Sequence, residues 1–137
     1  MSAATTKAKH KQGARRVLIV DDNQDAADSL AMLIAVRGDD VRIAYDGAQA
    51  LVLERDFQPH VVLLDIGLPA ISGYDVAERI RTKRGHDVLI VAITGWGQEK
   101  DLRRAEDAGI DHHFTKPVDF DALVAVIERA APPRRAR

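Results

Sequence analysis

Three stretches of the chain are apolar without a break: Val17-Leu18-Ile19-Val20, Val61-Val62-Leu63-Leu64 and Val88-Leu89-Ile90-Val91-Ala92-Ile93. Short runs of this kind, rich in β-branched side chains and bounded by turn residues such as Pro59 and Gly67, predict strands buried on both faces. Two other segments, Val41–Tyr45 and Asp111–Thr115, mix polar with apolar positions and predict strands with less cover. Helical spacing fills the gaps. The first helix is expected over Gln24–Arg37, with Leu30, Leu33 and Ile34 on its apolar face, Asn23 or Asp22 as its cap and Gly38 as its stop. A second follows the Asp46-Gly47 turn over Ala48–Asp56, with Leu51 and Val52 inward. A third covers Tyr74–Arg84, with Val76, Ala77 and Ile80 together on one side and Gly85 after it. The fourth, Gln98–Ala108, carries only the thin stripe Leu102, Ala105 and Ala108, closed by Gly109. Phe120, Leu123, Val124 and Ile127 mark a fifth, which ends before Pro132-Pro133.

Strand and helix therefore alternate five times, which implies an α/β fold: a doubly wound parallel sheet, covered on both faces, with right-handed crossovers. The wholly apolar strands, one, three and four, belong in the middle of that sheet, and the mixed strands, two and five, at its edges. The order 2-1-3-4-5 meets this requirement and puts a topological switch point between strands one and three. Strand one runs into Asp21-Asp22, and strand three ends on Asp65. Three carboxylates are thus brought to the carboxyl edge of the sheet, where such folds bind ligands.

Composition adds bounds. The 137 residues suit one domain, at 46% hydrophobic and 30% charged. No apolar run reaches the roughly 20 residues that a membrane helix needs. The N-terminus has lysines but no apolar stretch behind them, which does not fit a secretory signal. The absence of cysteine excludes disulfides and thiolate metal sites and fits a cytoplasmic location. Charge is uneven. Lys7, Lys9, Lys11, Arg15 and Arg16 lie at one end and Arg134, Arg135 and Arg137 at the other, with no acid in either tail. Setting those five and three aside from the 20 basic residues leaves 12 against 21 acids, a formal −9 for the rest. So acidic a body is a poor nucleic-acid surface and a good place for a cation. The division expected is a disordered basic tail over residues 1–14, a folded domain over 15–131 and a basic tail over 132–137.

Three converging acids raise one another's pKa unless a cation joins them. An all-oxygen donor set favours a hard ion, Mg2+ with Mn2+ as the alternative. Thr94 closes strand four with a hydroxyl, Gly95 lets a backbone N–H come close to a ligand, and Lys116 closes strand five with an ammonium. Acids, a metal, a hydroxyl and a lysine on one sheet edge suit phosphoryl transfer to a carboxylate. Adjacent His112 and His113 on a strand point to opposite faces, which argues against a shared metal site.

The stretches Val17–Asn23, Leu63–Pro69, Ser72-Gly73, Ala92–Gly95 and Thr115-Lys116-Pro117, taken in this order and spacing, resemble the receiver domains of two-component response regulators. The resemblance implies a CheY-like, flavodoxin-like (βα)5 fold. It implies that Asp65 accepts a phosphoryl group from a phosphohistidine on a histidine kinase or histidine phosphotransfer protein. Asp22, Asp65 and the Gly67 carbonyl would hold Mg2+, with Asp21 acting through a water. Thr94 and Lys116 would bind the phosphoryl oxygens, joined by Gly95, and the Lys116-Pro117 bond would be cis. Thr94 and residue 113 would form the switch that alters the surface of the fourth helix, last strand and last helix, which an unknown target reads.

At the switch position, where many receivers carry Tyr or Phe, this chain has His113, whose charge can change near neutral pH. Gly67 and Trp96 occupy positions that influence phosphoryl lifetime in such domains. Thr94–Gln98 and His112–Asp119 are similar to receivers attached to hybrid histidine kinases. The expectation is a stand-alone response regulator, monomeric or weakly dimeric, free of nucleic acid and membrane, and not an enzyme beyond its own Mg2+-dependent phosphorylation and dephosphorylation. The alternatives are a phosphate-independent scaffold and, further behind, an aspartyl-phosphate phosphatase. That phosphatase class needs a second aspartate two positions after the nucleophile, where this chain has Gly67.

Overall fold

A computed structural model of the protein describes residues 15–95 and 102–130. Trp96, Gly97, the first turn of the helix expected from Gln98 and nearly all the basic tail residues lie outside the described residues. Five strands, β1 (Arg16–Val20), β2 (Asp40–Ala44), β3 (Val61–Asp65), β4 (Leu89–Thr94) and β5 (His112–Thr115), form one parallel sheet in the order β2-β1-β3-β4-β5. Five helices connect or follow them: α1 (Gln24–Val36), α2 (Gly47–Phe57), α3 (Gly73–Arg84), α4 (Leu102–Asp107) and α5 (Phe120–Ile127). A 3-10 turn at Gly85–Asp87 that the sequence pattern does not signal precedes β4. Among the described residues, no helix is long and apolar enough to cross a membrane.

Burial follows the two-residue period of a strand. Leu18, Val20, Val62, Leu64, Ile90 and Ala92 face one core layer, which α2, α3 and α4 close. Val17, Ile19, Val61, Leu63, Val91 and Ile93 face the other, closed by α1 and α5. Both layers are dry at the central strands, while β2 and β5 remain largely half-buried, as edge strands should. Side-chain caps start four helices: Asn23 accepts from the Ala26 N–H, Asp46 from Gln49, Ser72 from Asp75 and Asp119 from Ala122. Because Asn23 caps α1, Asp22 is not used for that purpose.

The phases of two helices differ from expectation. On α1 the buried positions are Ala27 and Ile34, and Leu33 is 51% exposed beside Met32 and Val36. On α2 the inward face is Gly47, Ala50, Glu54 and Phe57, leaving Val52 exposed and Leu51 half-buried. The cause on α2 is a charge in a core position. The Glu54 side chain is only 1% exposed, and its carboxylate pairs with Arg84 at 2.5 Å, while Arg84 also donates to the Pro59 carbonyl. A paired buried charge can occupy a slot that a hydropathy pattern assigns to leucine.

The register of the two strands that carry the acids is set from below. The Arg16 N–H donates to His60 Nδ1 at 2.9 Å, and the His60 N–H donates to the Arg16 carbonyl at 2.8 Å. An accepting Nδ1 requires neutral imidazole. Burial first, then the charges of Arg16, Arg84 and Arg15, lower the His60 pKa from its usual 6.5. The unfolded chain therefore binds this proton more readily than the native one. The stability His60 contributes is complete above pH 6.5 and is lost as pH falls through the lowered native value. Urea unfolding at about pH 7.5 and about pH 5.5 should show a larger loss in the parent than in His60→Asn, whose amide oxygen accepts the same bond without titrating.

Candidate functional site

The register Val20↔Leu64 and Asp65↔Ile93 aligns the ends of β1, β3 and β4. Asp21 follows β1 directly, Asp22 comes next, and Asp65 is the last residue of β3. One ligand oxygen from each of Asp21, Asp22 and Asp65 can be chosen so that all lie within 4.8 Å of one another. Asp21 and Asp65 are 8% and 7% exposed, and Asp22 is open to solvent. One wet and two sheltered carboxylates make a cleft with an entrance.

Each sheltered acid is held in place. Asp21 Oδ1 accepts the Asn23 N–H at 3.0 Å, and its Oδ2 accepts from Lys116 Nζ at 3.3 Å. Asp65 Oδ1 accepts the Gly67 N–H at 2.9 Å, and its Oδ2 lies 3.6 Å from Lys116 Nζ. Lys116 reaches the acids from just beyond β5, where the Lys116-Pro117 bond is cis as the resemblance implies. The Asp65 pKa is raised: burial penalises the carboxylate and the Asp21 charge adds to it, against the Gly67 N–H and the Lys116 ammonium. Burial acts to lower the Lys116 pKa, but the charges of Asp65 and Asp21 outweigh it and the net shift is upward. One ammonium serves two carboxylates, and a third stands beside them. The donor set, all oxygen and short of positive charge, fits a hard divalent cation.

The remaining expected residues are arranged around this cluster. Thr94, the last residue of β4, is fully buried, and its hydroxyl donates to the Phe114 carbonyl at 3.4 Å. Gly95 follows it, half-buried, and Gly67 is exposed at the mouth of the cleft. His113 is half-buried and lies in register with Ala92, whereas His112 pairs with Val91. Ala92 and Val91 belong to opposite core layers, so the two histidines do not share a site.

One positional requirement is not apparent from the chemistry of the residues. A Cβ on Gly73 would lie 2.6 Å from both the Asp65 carbonyl oxygen and the Ile66 Cα. The start of α3 therefore rests against the backbone at the end of β3, and the Gly73 N–H donates to the Ile66 carbonyl at 3.3 Å. The pair Ser72-Gly73 signals this position through its turn chemistry, with Ser72 as the helix cap. Gly73→Ala should lower stability by about 1–3 kcal/mol in urea unfolding, since the crowding is against backbone that cannot rotate away. It should also slow any reaction at Asp65, because the displaced atoms carry that carboxylate.

Residues 17–128 match the response regulator receiver domain family. The chain is 33% identical over 111 residues to the DNA-binding dual master transcriptional regulator RpaA of Synechocystis sp., a match that covers 80% of this chain and 46% of that protein. It thus spans less than half the length of that relative. A CheY-like response regulator receiver domain protein from Methanospirillum hungatei superposes with a TM-score of 0.79 at 27% identity, over 85% of this chain and 92% of the other. A response regulator protein from Burkholderia pseudomallei, solved with a phosphorylated aspartic acid, calcium ion and citrate, gives 0.75 at 26% identity, over 81% and 65%. By sequence match, sheet order and the acidic cleft at the switch point, this chain belongs to the family of response regulator receiver domains.

Proposed function

We propose that the chain is the phosphoryl-accepting module of a two-component or phosphorelay system, with Asp65 as the acceptor of a phosphoryl group from a phosphohistidine on a histidine kinase or phosphotransfer protein. The observation that carries this reading is the placement of Asp65. Its carboxylate is sheltered at the sheet edge, fixed by the Gly67 N–H, and has Lys116 Nζ 3.6 Å from its other oxygen. The Burkholderia neighbour with its phosphorylated aspartic acid and calcium ion supports the same chemistry. The folded module is taken to run over residues 15–131, and a cytoplasmic location follows from a kinase donor.

Asp22, Asp65 and the Gly67 carbonyl would hold Mg2+, or Mn2+, with Asp21 contributing less directly. When bound, the ion supplies positive charge to the carboxylates and to the phosphoryl oxygens. The chain's own residues do the rest. The Asp65 carboxylate forms the new O–P bond in line with the P–N bond that breaks. The donor imidazole, protonated on its other nitrogen, leaves neutral with that electron pair. Lys116 Nζ is placed to meet the charge on the transferring oxygens. Thr94 gives up its long bond to the Phe114 carbonyl and turns its hydroxyl to the phosphoryl group, with the Gly95 backbone beside it. His113 fills the space that Thr94 vacates, and a protein target reads the altered α4-β5-α5 surface.

Intact mass in Mg2+ with a small-molecule phosphodonor tests the reading. The parent should gain one phosphoryl adduct, which Asp65→Ala and metal-free samples lack. Absence of the adduct from the parent with every donor would move the function to phosphate-independent binding.

A further inference from the structure

We infer that the stacked pair Tyr74 and Arg104 carries the state of Asp65 to helix α4, so that α4 responds to phosphorylation through α3 as well as through β4 and β5. The inference rests on Asp65 being the phosphoryl acceptor. Its physical basis is an unbroken line of close contacts. The first link is the seat of Gly73 against the Asp65 carbonyl and Ile66 Cα, so tight that no Cβ fits. A shift of the acceptor loop is therefore passed to the first turn of α3.

The second link is the next residue. Tyr74 is 7% exposed and lies in the same core layer as Ile66, Leu68, Ala92, Ala105 and Ala108. It is the aromatic residue of that layer among the described residues. The third link crosses to α4, where the Arg104 guanidinium carbon sits 4.5 Å from the centre of the Tyr74 ring. The buried side chains seen beneath α4 are Ala105 and Ala108, which offer little area to hold it. Against so small a buried area from the described side chains, the stack is a further contact that seats this helix.

The far end of α4 is fixed. Arg81, on α3, donates to the Gly109 carbonyl from Nε and Nη2 at 3.0 and 2.6 Å, to Asp111 Oδ2 at 2.7 Å and to the Val88 carbonyl at 2.8 Å. Asp111 Oδ2 also accepts the Ile90 N–H. One guanidinium therefore pins the α4–β5 turn to α3 and to the start of β4. With that end clamped and Arg104 stacked on Tyr74, α4 can pivot about Gly109, whose φ of 85° already departs from helical geometry. The position of the Tyr74 ring then sets the tilt.

Beryllium trifluoride with Mg2+, a stable stand-in for an aspartyl phosphoryl group, provides the test. Amide exchange over residues 102–109 would be compared with and without it in the parent, Arg104→Ala, Arg104→Lys and Tyr74→Phe, with the phosphoryl adduct measured by mass for each. Arg104 is exposed, so its loss leaves the core intact. The expected result is an adduct on all four proteins and a ligand-dependent change over 102–109 in the parent, Arg104→Lys and Tyr74→Phe. In Arg104→Ala that change is reduced at least twofold, to what β4 and β5 carry, while the change at Gly67–Ser72 persists. An unaltered ligand-dependent change in Arg104→Ala overturns the inference. So does an equal shift of its exchange in both states, which marks a purely structural contact. A parent that takes no adduct overturns the acceptor reading itself, and is told apart by the mass.

Discussion

The structure turns on a charge problem at the end of two adjacent strands. Asp21, Asp22 and Asp65 meet within a few ångströms, and the single ammonium of Lys116 is shared between the two that are sheltered. Burial of like charges is unfavourable, and the upward shift at Asp65 records it. The fold holds the acids there because the register of β1 on β3 leaves them nowhere else to go. That register is secured at the opposite edge by the reciprocal bonds between Arg16 and His60. A site so short of positive charge favours a bound cation.

Around this strained point the molecule divides into a rigid part and a lightly held part. The central strands and the inward face of α3 are buried, and the buried Glu54–Arg84 pair ties α2 to α3. Among the described side chains of helix α4 and the turn after it, the buried ones are Ala105 and Ala108. On the proposed function, rigidity would fix the carboxylates for phosphoryl transfer, and a lightly seated α4 would turn a local change in charge into a change in surface. The same sheet edge serves both needs, since Thr94 ends β4 and Lys116 follows β5, the two strands that α4 connects.

Much of this was legible in the chain. The uninterrupted runs at Val17, Val61 and Val88 specify central strands, and the mixed runs at Val41 and Asp111 specify edges, so the order of the sheet and the meeting of Asp21, Asp22 and Asp65 follow from pattern alone. Helix phase was less legible. Leu33 and Val52 were expected inside and lie outside, because Ala27, Ala50 and the ion-paired Glu54 take the inward positions, and hydropathy does not register a paired charge. The contacts that brace the helices were not legible. The seat of Gly73 on the Asp65 carbonyl, the Arg81 clamp and the Arg104 stack on Tyr74 each join residues whose types suit an ordinary surface helix. Only their placement gives them a role.

The claim that everything hangs on uncompensated carboxylates is tested most directly by thermal unfolding of the parent and Asp65→Asn, each with and without Mg2+. Relief of the repulsion should raise the metal-free midpoint of Asp65→Asn above that of the parent. Mg2+ should raise the parent's midpoint in proportion to the logarithm of its concentration, once above the dissociation constant, and do far less for the variant. A variant no more stable than the parent, with the same response to Mg2+ in both, would contradict the account.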